Sequence, residues 1–231
     1  MIPQMPLNIG TKLRLIVIAL GLTAWMGVLV LLAGTFLWPG VWIYYALVLL
    51  IFIVALIVLI QRNPDILKHR AEGKIGTVAW DKYFFSAYII LIIAFTITAG
   101  ISYRYEIALL PNWAAILGLI IYIVGAYTSY WAMSENPHFE TTVRIQEERY
   151  HRVISSGPYR AVRHPGYFGS VLIWIGLPLI LGTALALGVS LMIIINYWIR
   201  TMLEDRFLTE QLEGYKEYRK QVKYRLFPGI W

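Results

Sequence analysis

Two polar stretches in an otherwise apolar chain hold the side chains capable of chemistry. The first runs from Gln146 to Gly169 as QEERYHRVISSGPYRAVRHPGYFG. Its Gly157-Pro158 and His164-Pro165-Gly166 steps are rigid turn devices: each proline fixes φ, and Gly157 and Gly166 permit close backbone approach to a ligand. Beside these steps stand Tyr159, Arg160, Arg163, His164 and Tyr167. The second stretch, Arg200-Thr-Met-Leu-Glu204-Asp205-Arg206, places Arg200 and Glu204 four residues apart, on one face of a helix. Rings, cations and a carboxylate on shaped backbone can bind and orient a charged organic ligand. The same residue types also anchor proteins at a membrane interface, with Arg200 snorkelling. Residue type alone leaves both readings open. The turns are more rigid than anchoring requires, and the carboxylates in an apolar helix point toward a polar cavity.

Other chemistries find less support. The chain has no Cys, which excludes thiolate nucleophiles, thiolate metal sites and disulfides. His69, His138, His151 and His164 lack metal-ligand spacing, so no metal is expected. Ser155-Ser156 has no nucleophile-elbow context. Asp81 and Glu106 read as solvated loop charges, and the Trp and Tyr residues at span ends as interfacial belts.

The elements that must position these residues follow from composition. The chain has 231 residues, 59% hydrophobic and 14% charged, against about a quarter charged in soluble domains. Its surface therefore faces lipid. Leu15–Leu37, Val41–Ile60, Tyr83–Tyr103 and Trp113–Met133 each meet the requirement of about 20 apolar residues for a span. The first run is too long for a cleaved signal peptide and reads as a retained span. Gly118 and Gly125 share a face of the fourth, where small residues let helices approach. Gln61–Lys82 reads as one or two short interfacial helices. Gly166–Ile199 has no charge and would extend about 50 Å if straight. Pro178 and Gly182 inside it predict a helical hairpin turning near Leu181-Gly182-Thr183, with a short first arm. A polar C-terminal helix ends near Tyr224.

The expected fold is an all-α integral membrane protein of about six transmembrane helices, the last two a hairpin. It forms a single membrane domain: a four-span scaffold over residues 1–133 and a catalytic region over residues 134–231. Of the 20 Lys and Arg residues, all but Arg104 fall on one side. The positive-inside rule then makes both termini and the long polar segment cytoplasmic, in a multi-pass protein of the cell (inner) membrane. The net charge of +7 is mostly this bias, with anionic membrane lipids as its neighbours. Nucleic acid is not an expected partner, because the basic residues lie in four separate segments.

The segments GPYRAVRHPGYFG, RTMLEDRFL and GYKEYRKQVKYRLFPGIW resemble the isoprenylcysteine carboxyl methyltransferase family, in its bacterial branch. The related phospholipid N-methyltransferases share the general pattern. The resemblance covers about the last hundred residues closely, and its motifs are specific in combination rather than singly. It implies an S-adenosylmethionine-dependent methyltransferase without a Rossmann fold, and no strand–GxGxxG–helix unit occurs here. By the family pattern the cofactor contacts Gln146, His151, Arg152, Val153, Ile154, Tyr159, His164, Pro165, Gly166, Tyr167 and Glu204. Arg200 matches the arginine that holds the methyl acceptor, so Arg200 and Glu204 are the expected catalytic pair. Gly166 departs from the pattern, in which a larger residue is also common.

The implied chemistry suits these residue types. Methyl transfer from a sulfonium is an in-line displacement governed by positioning. His164 and backbone groups can bind the cofactor carboxylate, and Glu204 its ammonium or ribose. The faces of Tyr159 and Tyr167 suit a sulfonium. A carboxylate acceptor is already ionised at neutral pH, and a forked arginine can orient it. The expected acceptor is lipid-like or prenylated and enters sideways from the membrane. Three other readings remain: phospholipid or amine N-methylation, an NADPH-dependent reductase resembling the steroid reductases that share an Arg-His-Pro-x-Tyr block, and a non-catalytic membrane scaffold.

Overall fold

The computed structural model describes residues 9–62 and 77–231. Seven α-helices occur there: α1 (Ile9–Ala33), α2 (Pro39–Arg62), α3 (Ala79–Arg104), α4 (Asn112–Glu135), α5 (Pro165–Leu181), α6 (Ala184–Gln211) and α7 (Tyr215–Gln221). Two single turns of 3₁₀ helix, Glu147–Arg149 and Gly157–Arg160, punctuate the segment between α4 and α5. The protein is an all-α integral membrane protein. Five helices (α1, α2, α3, α4 and α6) are long and apolar enough to cross a membrane. The sixth apolar helix, α5, has 17 residues, about 25 Å at 1.5 Å per residue, and stops short of a bilayer core of about 30 Å. The interfacial helices expected over Gln61–Lys82 fall largely on residues 63–76, outside the described residues, as does His69.

Local chemistry explains where helices start and stop. Pro39 and Pro165 open α2 and α5, positions where a missing N–H costs nothing. α5 ends three residues after Pro178, at Gly182, whose φ of 73° is left-handed, a conformation that favours glycine. The N–H of Thr183 then reaches back to the Pro178 carbonyl at 3.1 Å. The hairpin thus turns at the expected place.

At this end of the bundle three turns meet. The N–H of Leu110 donates to the Gly182 carbonyl at 2.8 Å, and that of Ala184 to Ala108 at 3.0 Å. The buried Trp38 indole donates to the Leu181 carbonyl at 2.9 Å. Trp38 is therefore part of the core, not of an interfacial belt. The opposite end carries residues 136–164 and everything after Glu204.

α4 and α5 lie together along their length because glycines line the contact. A Cβ on Gly169 would fall 2.4 Å from the Gly125 carbonyl, and one on Gly118 would fall 2.7 Å from that of Gly176. Larger residues at these positions would force the backbones apart. The core beside them is aromatic: Phe95 meets Trp174 edge to face at 5.3 Å, and Trp174 meets Tyr88 at 6.0 Å.

A Gly169→Val substitution is expected to destabilise the bundle by about 1–3 kcal/mol, as overpacking does. Gly188→Ala, where an added Cβ meets nothing within 4 Å, leaves it unchanged or slightly firmer. Thermal unfolding in detergent measures both, and equal melting temperatures for the two variants would refute the close-packing account.

Candidate active site

The site is built where α6 leaves the apolar bundle. Asp205 is buried there, with 1% of its surface exposed, and an ionised carboxylate in that position requires partners. Arg163 supplies a fork: Nε donates to Oδ1 at 2.7 Å and Nη2 to Oδ2 at 2.9 Å. Nε of Arg225 donates to Oδ2 at 2.9 Å, and the Tyr215 hydroxyl to Oδ1 at 3.0 Å. Nε2 of His164 lies 3.3 Å from Oδ1. Nη1 of Arg163 also donates to the carbonyls of Val222 and Lys223 at 2.7 and 2.8 Å. The N–H groups of Arg163 and His164 donate to the carbonyls of Tyr224 and Arg225, each at 2.9 Å. One carboxylate thus gathers the turn before α5 and the C-terminal segment onto the end of α6.

Beside this knot opens a cavity of about 110 Å³. Its wall includes all eleven residues expected to contact a cofactor: Gln146, His151, Arg152, Val153, Ile154, Tyr159, His164, Pro165, Gly166, Tyr167 and Glu204. At its inner end the Tyr167 hydroxyl donates to the Glu204 carboxylate, and the ring of Tyr167 stacks parallel to that of His164 at 5.7 Å. Among the described residues no Lys or Arg pairs with Glu204; Nδ1 of His164 lies 3.9 Å from its carboxylate. The basic side chains on the cavity wall are Arg144, Arg152 and Arg163; Arg144 is paired with Glu140 and Glu148, and Arg163 with Asp205.

The outer wall is held by the polar segment itself. Gln146, 1% exposed, donates from Nε2 to the His138 carbonyl at 2.7 Å and accepts from Nη1 of Arg149 at 2.9 Å. The rings of His138 and His151 lie 4.5 Å apart. Nδ1 of His151 accepts the Gln146 N–H at 3.4 Å, which puts its proton on Nε2 when neutral. Burial, then the neighbouring His138, holds the His151 pKa down at about 4. Burial, then Arg149, lowers that of His138. Tyr159 is fixed by Asn136, whose Nδ2 donates to its hydroxyl at 3.2 Å, while its carbonyl accepts from the Tyr218 hydroxyl at 2.7 Å. Burial raises the Tyr159 pKa, so it stays a neutral phenol. Phe139 lies against Gly166, where a Cβ would meet its ring at 2.8 Å. The glycine therefore admits Phe139 as well as lining the cavity.

Two expectations need correcting. Arg200 is not on the cavity wall; it packs behind Tyr167, its guanidinium carbon 5.3 Å from the ring centre. Asp81 is not a solvated loop charge. It is fully buried in the first turn of α3 and forms an ion pair with Arg200, Nη2 to Oδ1 at 2.9 Å. The low dielectric at the end of the bundle explains both, since neither charge is stable there without the other. Sequence reasoning also missed Asp205 as the organising carboxylate and Asn136, His138 and Phe139 as wall residues. The one available signal was that Asp205 adjoins Glu204 in a helix with few other charges.

Fold and cavity define a polytopic helical membrane protein with a cavity, lined in part by charged side chains, at one end of its bundle. Residues 113–214 match the family model described as phospholipid methyltransferase. The chain is 28% identical over 109 residues to the probable protein-S-isoprenylcysteine O-methyltransferase of Oryza sativa subsp. indica, covering 46% of this chain and 57% of that protein. It is 29% identical over 121 residues to the protein-S-isoprenylcysteine O-methyltransferase of Saccharomyces cerevisiae, covering 51% of each. It is 25% identical over 130 residues to protein-S-isoprenylcysteine O-methyltransferase A of Arabidopsis thaliana, covering 53% of this chain and 66% of that protein. The matched stretch thus spans between half and two thirds of each relative's length. The second half of the chain is thus similar to phospholipid methyltransferases and to protein-S-isoprenylcysteine O-methyltransferases.

Asp205→Asn keeps the side chain's shape but leaves Arg163 and Arg225 without their anion. Losing one partner of a buried ion pair costs about 3–5 kcal/mol. Faster amide exchange across residues 222–226 is the expected readout, and unchanged exchange would refute the organising role. The histidines set a pH dependence. Because the folded pKa of His151, about 4, lies below its ordinary 6.5, the unfolded chain takes up the proton first. Stability is then level above about pH 6.5 and falls as the pH drops toward about 4. His151→Gln should flatten part of that fall in melting curves recorded between pH 8 and 5.

Proposed function

We propose that this protein is an S-adenosylmethionine-dependent methyltransferase that acts on the carboxylate of a lipid-like or prenylated acceptor at the cytoplasmic face of the membrane. The observation that carries the reading is the convergence of the eleven expected cofactor residues, from five separated stretches of sequence, on one cavity.

The cavity's charge supports a zwitterionic, partly cationic ligand. Glu204 has no Lys or Arg partner among the described residues, so it can accept an ammonium or a ribose hydroxyl. Arg152, at the cavity wall, suits the ligand's carboxylate, as does His164 on the same wall. The cofactor supplies an electrophilic methyl group on a sulfonium. The protein's part is to orient it: Tyr159 and Tyr167 offer ring faces that attract a cation, and hydrogen bonds from Asn136 and to Glu204 fix those rings. A carboxylate acceptor needs no base, because it is ionised already. Arg200 orients that acceptor from the bundle side of Tyr167, within reach of molecules dissolved in lipid.

Purified protein is expected to bind labelled S-adenosylmethionine, and Glu204→Gln to weaken that binding by about tenfold or more. Incubated with membrane extract, it should yield label released as methanol by base, the mark of a methyl ester. Base-stable label would identify N-methylation instead, and binding of NADPH alone would overturn the methyltransferase reading in favour of a reductase.

A further inference from the structure

The carboxylate that meets Arg200 comes from the opposite half of the chain, 119 residues away in sequence. Asp81 is itself held fast. Its Oδ2 accepts the Val143 N–H at 2.9 Å, and the Val78 N–H pairs with the Val143 carbonyl at 3.1 Å. Val143 lines the cavity, so the start of α3 is fastened to the cavity wall. The same Nη2 of Arg200 that meets Asp81 also donates to the Thr141 carbonyl at 2.6 Å. Aromatic rings enclose the guanidinium: Phe84 at 4.2 Å, Phe85 at 5.0 Å and Tyr167 at 5.3 Å. One end of the fork is therefore fully used and its plane is fixed. Nε is different: it is buried and, among the described residues, has no hydrogen-bond partner. A buried charged donor left unsatisfied is costly, and a ligand oxygen would satisfy it.

We infer that Asp81 is a positioning residue for the acceptor: by gripping Arg200 through Nη2 it turns the Nε edge toward the acceptor's carboxylate oxygen. This rests on the proposed carboxylate methylation. It also gives the first half of the chain a part in specificity. A carboxylate approaching Nε meets a guanidinium whose charge Asp81 already offsets in part. Binding must then come from direction as well as charge, and an acceptor with its oxygen elsewhere would be discriminated against. The competing view is that Asp81 merely neutralises a buried arginine and steadies the fold.

Full-length protein in lipid nanodiscs separates these views, with N-acetyl-S-farnesylcysteine as a carboxylate-bearing prenylated probe. Asp81→Asn keeps an oxygen for Val143 and for Arg200 but loses the charge. Its KM and equilibrium affinity for the probe should worsen by about tenfold or more, with S-adenosylmethionine affinity unchanged within about twofold. In an Arg200→Ala background, Asp81→Asn should cost no further probe affinity, because a residue acting through another has no effect once that other is gone. Equal loss of probe and cofactor affinity, no change in either, or an additive loss in the Arg200→Ala background would each overturn the inference. Wild-type protein that binds cofactor yet forms no methyl ester would instead overturn the carboxylate reading, and the inference would fall with it.

Discussion

A carboxylate buried at the end of an apolar helix is the constraint around which this protein is arranged. Asp205 cannot remain ionised there without donors, and the side chains that meet it come from three places: Arg163 and His164 before α5, Tyr215 in α7, and Arg225 beyond it. Each partner brings backbone with it. The strand-like pairing of residues 163–164 with 224–225 fixes the entry of α5, and that entry sets the positions of His164, Pro165, Gly166 and Tyr167 on the cavity wall. The cavity is thus a consequence of satisfying one charge, and its shape depends on a segment that does not itself line it.

The ionised groups near the cavity fall into sets that nearly cancel. Asp205 faces Arg163 and Arg225; Asp81 faces Arg200; Glu140 and Glu148 face Arg144. Among the described residues Glu204 forms no ion pair with Lys or Arg: a phenol and a neighbouring imidazole are its polar contacts, and Arg200 acts on it from a distance. In a low-dielectric surrounding, a carboxylate without a cation attracts one. This difference between neighbours, Glu204 and Asp205, separates a residue suited to a ligand from one suited to the fold. Adjacent positions on a helix point about 100° apart, so the two carboxylates serve two different surfaces.

Much of this was legible in the sequence, and the remainder was hidden for identifiable reasons. Spans are local: a run of apolar residues declares itself, and Pro178 with Gly182 marks a turn wherever the chain goes. The glycines of α4 were readable as a close-packing face, although their partners Gly169 and Gly176 emerged only once α5 lay alongside. Charges at span ends were harder. Asp81 looked solvated because it sits where a helix meets a polar segment, and no periodicity links it to Arg200 across 119 residues. Asp205 was passed over for Glu204 because type and position alone could not say which carboxylate would turn inward. The short α5 was foreseen, whereas the burial of Trp38 was not, since a tryptophan beside Pro-Gly at a span end has the look of an interfacial anchor.

The glycines and the charges are linked through the aromatic core. Close approach of α4 and α5 lets Trp174 reach Tyr88, which packs against Tyr197, which in turn packs against Tyr167. Tyr167 carries the arrangement into the site, with its hydroxyl on Glu204 and its face toward Arg200. Interiors packed at this density transmit small displacements rather than absorbing them. A bulkier residue between α4 and α5 would therefore be felt at Glu204, although no charged group lies near the glycines. The position of the Glu204 carboxylate on the cavity wall is in this sense set partly by residues that have no side chain at all.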